Sequence, residues 1–303
     1  MSQEFCEIAG YGGRAAGVDD ASRPPTLPVA LGAEVIFLGP GREVLELGHT
    51  LRPGAPHFAG VQPPFVMNLW NTAQGVIRSL RRREVINDAG FNLEHVSMTF
   101  HVGTHVDALG HFSAGARMYA GRDSDRTVGD LGLYELGAET IPAIIARGVL
   151  LDVARLGAAG ALTGGEVVTR EMLERAEAAA GTTLRPGDVA LIRTGWGSFY
   201  GDDPATYVRS EPGPDLEAAR YLTSKGVIAI GADNMAVEVM PGTDPTISMP
   251  VHQHTLVDCG VYLIENMALD ALAESGRCEV CFLLLTPRIR GATGSLARPI
   301  ALL

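Results

Sequence analysis

His101-Val-Gly-Thr-His105-Val-Asp107-Ala-Leu-Gly-His111 holds three of the chain's eight histidines and an aspartate within one short stretch. The four side chains are spaced by even numbers, so on a strand they share one face. A helix is disfavoured, because Gly103, Thr104 and Gly110 interrupt it. A straight strand would hold positions 101 and 105 roughly 13 Å apart, too far to share one ion. A bend or bulge at Gly103 removes that difficulty and turns both imidazoles toward one point. Two imidazoles and a carboxylate gathered in this way suit zinc, manganese or iron. Taken singly, His101 capping a turn and Asp107 closing an Asx turn are ordinary alternatives. Such crowding is not what scattered surface histidines produce, and the expectation is a metal site built on His101, His105 and Asp107. A second pair follows at His252-Gln-His254.

Outward from this stretch the chain alternates between strand-like and helical segments. Gly148–Val153 is a short apolar strand. Thr169–Ala180 is helical, with Thr169 a suitable N-cap and Met172 where a capping box would want an acid. Pro186-Gly187-Asp188 is a turn with the strand Val189–Arg193 behind it. Leu216–Ser224 is helical, and Gly226–Gly231 and Val261–Glu265 are buried strands. The pattern is mixed α/β, its core built from strands far apart in sequence. Residues 1–28 are rich in Gly, Ala, Asp and Pro without a period, and are expected to be a tail or arm. Residues 29–303 are expected to form one domain.

The 303 residues, 46% hydrophobic and 19% charged, suffice for a substantial core. A formal net charge of −11 repels phosphate backbones, so nucleic acid is not an expected partner. Neither a membrane span nor a basic, apolar leader is evident, and the expected location is the cytoplasm. Four cysteines are too few for a disulfide scaffold. Cys278 and Cys281 form a lone CxxC at the mouth of the apolar run Val280–Leu285, which reads as a buried strand with both cysteines in the core.

The signature His101-x-Gly-Thr-His105-x-Asp107-x-x-x-His111 resembles that of the cyclase family, which includes bacterial kynurenine formamidase (arylformamidase) and isatin hydrolase. Leu47-Gly-His-Thr-Leu51 with Pro56-His-Phe-Ala-Gly60 is similar to the family's opening strand and aromatic-proline loop. Arg185–Trp196, Gly231-Ala-Asp233 and Gly291-Ala-Thr-Gly-Ser295 also fit, so the resemblance runs from about Val44 onward. It implies an α/β fold with a β-barrel-like sheet core and flanking helices. It implies His101, His105 and Asp107 as ligands to Zn2+ or Mn2+, with His111 as a proton shuttle. A later histidine and a glutamate complete the set: Glu265 with His252, or with His254. One-metal and two-metal versions are both allowed. Phe58 falls at an aromatic substrate contact, and Phe65, Trp70 and Trp196 are further aromatic candidates for packing or a pocket wall. The resemblance also implies a homodimer or homotetramer.

The implied activity is hydrolysis of an amide, formamide, lactam or lactone by metal-activated water, with a small molecule as substrate. The main alternative is a metal-assisted cyclase or dehydratase acting on a polyketide-like substrate through an enolate. A two-histidine, one-carboxylate oxygenase and a non-catalytic metal-binding regulator are less well matched, the first lacking its motif and the second having no use for His111. Leu109 stands where the formamidase group usually has proline, and this chain is longer, so the resemblance does not name kynurenine as the substrate.

Overall fold

The structure, a computed structural model, describes residues 43–303. The expected tail over 1–28 and the domain start near Val29 lie outside the described residues. Eleven strands and four helices suffice to place the site. The strands are β1 (Val44–Glu46), β2 (Val66–Asn71), β3 (Leu93–Ser97), β4 (His105–Asp107), β5 (Ile144–Asp152), β6 (Val189–Arg193), β7 (Ala229–Ala232), β8 (Tyr262–Glu265), β9 (Glu279–Leu284), β10 (Gly294–Leu296) and β11 (Ile300–Leu302). The helices are α1 (Ala73–Arg81), α2 (Arg170–Ala180), α3 (Leu216–Ser224) and α4 (Pro250–His252).

Among the described residues, nine strands form one curled, half-barrel sheet in the order β1-β11-β9-β5-β6-β7-β8-β4-β10. Its centre, β5 through β8, is parallel throughout. Parallel neighbours need a crossover, and here each crossover carries a helix: α2, then α3, then α4 with the π-turn Gln253–Cys259 that extends it. Covered on both faces, these strands read as continuous apolar runs; Val189, Ala190, Leu191 and Ile192 are all fully buried. The flanks return antiparallel, with β9 on β5 and β4 on β8.

The helices start and stop for local reasons. The Thr169 side chain accepts from the Met172 N–H at the head of α2, and Gly181 closes that helix at φ 65°, a conformation glycine adopts without steric cost. Asp215 caps α3 by accepting from Ala218 N–H, and Ala218, Ala219, Tyr221 and Leu222 form its buried face. The strand expected over 226–231 begins only at Ala229, because Gly226, at φ 78°, is still turning.

The Cys278/Cys281 expectation needs correction. Strand β9 is covered on one face only: Val280, Phe282 and Leu284 are buried, while Glu279, Cys281 and Leu283 are partly exposed. Cys278 is likewise partly exposed, so neither cysteine belongs to the core.

One region stands apart from the core. Strands β2 and β3 pair antiparallel around α1, and none of the three elements holds a buried residue. Val66, Leu69, Trp70, Phe91 and Leu93 are exposed, Trp70 to 71%. Among the described residues no helix is long and apolar enough to cross a membrane.

Candidate metal centre

The register of two strands assembles the cluster. Glu265, the last residue of β8, pairs directly with His105, the first residue of β4. Cross-strand partners project from the same face, and Asp107, two residues on, shares that face with His105. The carboxylate therefore arrives at the carboxyl end of the parallel strands, the edge where open α/β sheets place their ligands.

Gly103 makes the turn that the spacing requires. Its φ of 79° is left-handed, where a Cβ is strained, and the strand starts only beyond it, at His105. The bend brings the His101 and His105 rings to 5.0 Å between centroids. Another glycine makes room for His101: a Cβ on Gly294 would lie 2.8 Å from the His101 ring.

The resulting distances are short. His101 Nδ1 lies 3.0 Å from Asp107 Oδ1, and His105 Nε2 lies 3.5 Å from the same oxygen and 3.2 Å from Glu265 Oε2. His252 Nε2 is 3.6 Å from Asp107 Oδ2 and 3.2 Å from Glu265 Oε1. His111 stacks on His101 at 4.1 Å, with its Nε2 4.0 Å from Asp107 Oδ2. His105, Asp107 and Glu265 place ligand atoms within 4.8 Å of one another, and so do His101, Asp107 and His111. Asp107 belongs to both groups. His254 is elsewhere: its Nε2 meets Thr223 Oγ1 at 2.9 Å, and Asp258 lies beside it.

Ring orientation is set by the outer nitrogens. His105 Nδ1 contacts Gly103 O at 2.8 Å, His252 Nδ1 contacts Glu238 Oε1 at 2.6 Å, and His101 Nε2 contacts Thr293 Oγ1 at 2.9 Å. Each leaves the other nitrogen facing the cluster, the arrangement metal-binding histidines adopt. Phe58 sits outside this group. It packs on Trp196, Tyr200, Tyr207 and Met235, and its loop is tied to the site by Gln62, which accepts from Phe58 N–H and donates to His101 O. Trp196 and Phe65 are buried packing residues and Trp70 is on the exposed hairpin. Phe112 lies 5.0 Å from the His252 ring.

The donor set fits a cation. Among the described residues, His105 Nε2 and both Asp107 oxygens are buried with no hydrogen-bond partner; the rings around Asp107 are close but not angled to donate. A buried carboxylate without a partner costs several kcal/mol, and a second buried carboxylate, Glu265, lies beside it with His252 Nε2 at 3.2 Å from its Oε1. Burial disfavours protonated His105, yet Asp107 and Glu265 outweigh it and hold its pKa up to about 10. His252 behaves alike: burial is outweighed by Glu238 and Glu265, again giving about 10. Burial and Asp107 both push Glu265 up, but His105 and His252 bring it below the ordinary carboxylate value. His111 goes the other way. Burial pushes it down to about 4, so it is neutral at pH 7, while 29% of its side chain stays open to solvent.

Sequence reasoning missed three residues that shape this centre. Thr293 lies inside the Gly291–Ser295 stretch and was legible as part of it. Gln62 and Glu238 carry no pattern of their own.

Comparison with known proteins places the chain. Residues 45–239 match the Cyclase family. The chain belongs to the cyclase family. Kynurenine formamidase of Geobacillus thermodenitrificans (strain NG80-2) is 25% identical over 230 residues, covering 75% of this chain and 82% of that protein. A crystal structure of a novel cyclase superposes with a TM-score of 0.76 at 27% identity, covering 86% of this chain and 87% of the other. An isatin hydrolase bound to the product analogue thioisatinate shares the fold, with a TM-score of 0.66 at 21% identity over 86% and 92% of the two chains.

Proposed function

We propose that this cyclase-family member is a metal-dependent hydrolase that opens the C–N bond of an amide, with His101, His105, Asp107, His252 and Glu265 holding the metal and His111 moving the proton. The observation that carries this reading is the convergence of buried, unpartnered acceptors on Asp107 with histidine nitrogens aimed at the same point. The similarity to kynurenine formamidase supports the amide as substrate class. Histidine and carboxylate donors in these numbers suit Zn2+ or Mn2+, and the sharing of Asp107 by two ligand groups accommodates one ion or two.

When bound, such an ion lowers the pKa of a coordinated water to about 7 and polarises a carbonyl. The protein supplies the proton handling. His111, neutral at pH 7, accepts the proton of the attacking water at Nε2. Its cation is then stabilised by Asp107 Oδ2, 4.0 Å away. As the water oxygen bonds to the carbonyl carbon and the C–N bond breaks, His111 returns the proton to the leaving nitrogen, giving an acid and an amine. Phe58, fixed through Gln62 to the backbone of His101, offers an aromatic wall for an aryl amide.

The apolar hairpin supports assembly. Exposed Leu69, Trp70 and Phe91 form the kind of patch that another subunit covers, consistent with a homodimer or homotetramer. The test of function is turnover of the metal-loaded chain on N-formyl aryl amines, isatin-like lactams and simple lactones. Release of formate or a ring-opened acid is the expected result. If none of these is hydrolysed while an enolisable polyketide-like substrate is cyclised or dehydrated, the hydrolase reading fails.

A further inference from the structure

Glu238 is a buried carboxylate, 2% exposed, that the hydrolytic scheme leaves without a role. Its Oε1 lies 2.6 Å from His252 Nδ1 and accepts the His252 backbone N–H at 3.0 Å, while Oε2 accepts the Val251 N–H at 3.3 Å. One side chain thus grips both the ring and the backbone of the same histidine. Nδ1 has its partner, and Nε2 is left facing Asp107 and Glu265.

The segment that presents Glu238 is itself held under strain. Val237 adopts φ 58°, a left-handed conformation that a β-branched residue occupies only when its surroundings force it. Two buried groups supply the force. Glu211, 1% exposed, accepts the N–H groups of Met235 and Ala236 at 2.7 and 2.8 Å. Asn234 donates from Nδ2 to Pro212 O and Val237 O at 2.6 and 2.9 Å. The left-handed conformation at Val237 carries a steric cost, and these buried bonds offset it. Residues 234–239 are all buried, so the loop is a rigid bracket.

We infer that Glu238 is a positioning residue for the metal centre: held by the Glu211-braced loop, it fixes His252 with Nδ1–H donating and Nε2 as the ligand atom, and its charge strengthens that ligand. This rests on the metal-site reading above. Outer partners of this kind are worth 10–100-fold in metal affinity.

The test uses the full-length chain, stripped with chelator and titrated with Zn2+ against a chromophoric competitor. Glu238→Gln is expected to weaken Zn2+ binding 10–100-fold and to shift the visible absorption of the Co2+-loaded protein, because the geometry at His252 changes. Binding within twofold of the unaltered chain overturns the inference, as does weakened binding with an unchanged Co2+ spectrum. A second measurement needs no variant at Glu238. In the 15N spectrum of the Zn2+-loaded protein, the His252 ring, assigned by difference from His252→Gln, should show a protonated Nδ1 and a metal-bound Nε2. The reverse pattern overturns the inference. If the unaltered chain binds no Zn2+, the site reading itself fails. If it binds Zn2+ and Glu238→Gln binds equally well, only the role of Glu238 fails.

Discussion

Asp107 and Asp233 are both buried aspartates carried by strands of one sheet, and they are treated in opposite ways. Asp233, just beyond β7, accepts three hydrogen bonds, from Thr194 N–H, Thr194 Oγ1 and Gly195 N–H, at 2.8, 2.6 and 2.8 Å. Asp107 accepts none from the described residues, although histidines crowd it. Their ionisation follows their company. Burial raises the Asp233 carboxyl above its ordinary value, with its hydrogen bonds pulling back. Burial pushes Asp107 upward too, but His111, His101 and His105 outweigh it and hold it well below the ordinary value. Burial of a charge therefore does not by itself mark a site. Asp233 ties the ends of two strands together, whereas Asp107 stays ionised with both oxygens uncommitted, as a metal ligand requires.

This contrast can be broken by substitution. The largest effect should follow His105→Ala, which removes a nitrogen that faces both Asp107 and Glu265. Most bound metal should be lost, and turnover with it, since the remaining donors no longer close the shell. Elemental analysis of the purified variant checks this, and full metal occupancy would remove His105 from the ligand set. His111→Ala should keep its metal and lose about 10²–10⁴-fold in kcat. Loss of metal together with activity would make His111 a ligand or a structural residue instead.

Asp233→Ala sharpens the other side of the comparison. It strands three buried donors, each worth roughly 1 kcal/mol or more when left unsatisfied, so about 3 kcal/mol of stability should disappear in urea titration. Metal affinity of the folded fraction should be little changed. The gentlest effect is that of pH on metal binding. With only carboxylates facing them, His105 and His252 hold protons up to about pH 10. The metal displaces those protons, so affinity must rise with pH, by up to about tenfold per unit for each proton released. A chelator-competition series from pH 6 to 9 reads the slope, and a flat or falling profile would show that these nitrogens do not bind the ion.

Much of this was legible in the sequence where local pattern and tertiary environment agree. The strand Val189–Arg193 and the helix Leu216–Ser224 are observed with the bounds read from their patterns, because one is a short apolar run behind a turn and the other an amphipathic segment behind an aspartate cap. The bend at Gly103 followed from the distance between two imidazoles on a straight strand. The hairpin β2–β3 was not legible, since neither strand alternates between buried and exposed faces and the period that betrays a strand is missing. The run around Cys281 misled in the opposite direction: its apolar residues suggest two buried faces, but only one is covered. Glu238 and Glu211 were invisible because a lone glutamate in a loop carries no spacing. Their role exists only once residues 211, 238 and 252 are folded together.

The central claim is that the uncommitted carboxylate of Asp107 exists to hold a metal. The most direct measurement is the metal content and urea stability of Asp107→Asn, purified beside the unaltered chain. The unaltered chain should carry at least one equivalent of Zn2+ or Mn2+, and Asp107→Asn should carry nearly none. After chelation both should still unfold in a single cooperative transition in urea, which separates loss of a ligand from loss of the fold. Full metal occupancy in Asp107→Asn, or an unaltered chain that takes up no divalent metal, would contradict the claim.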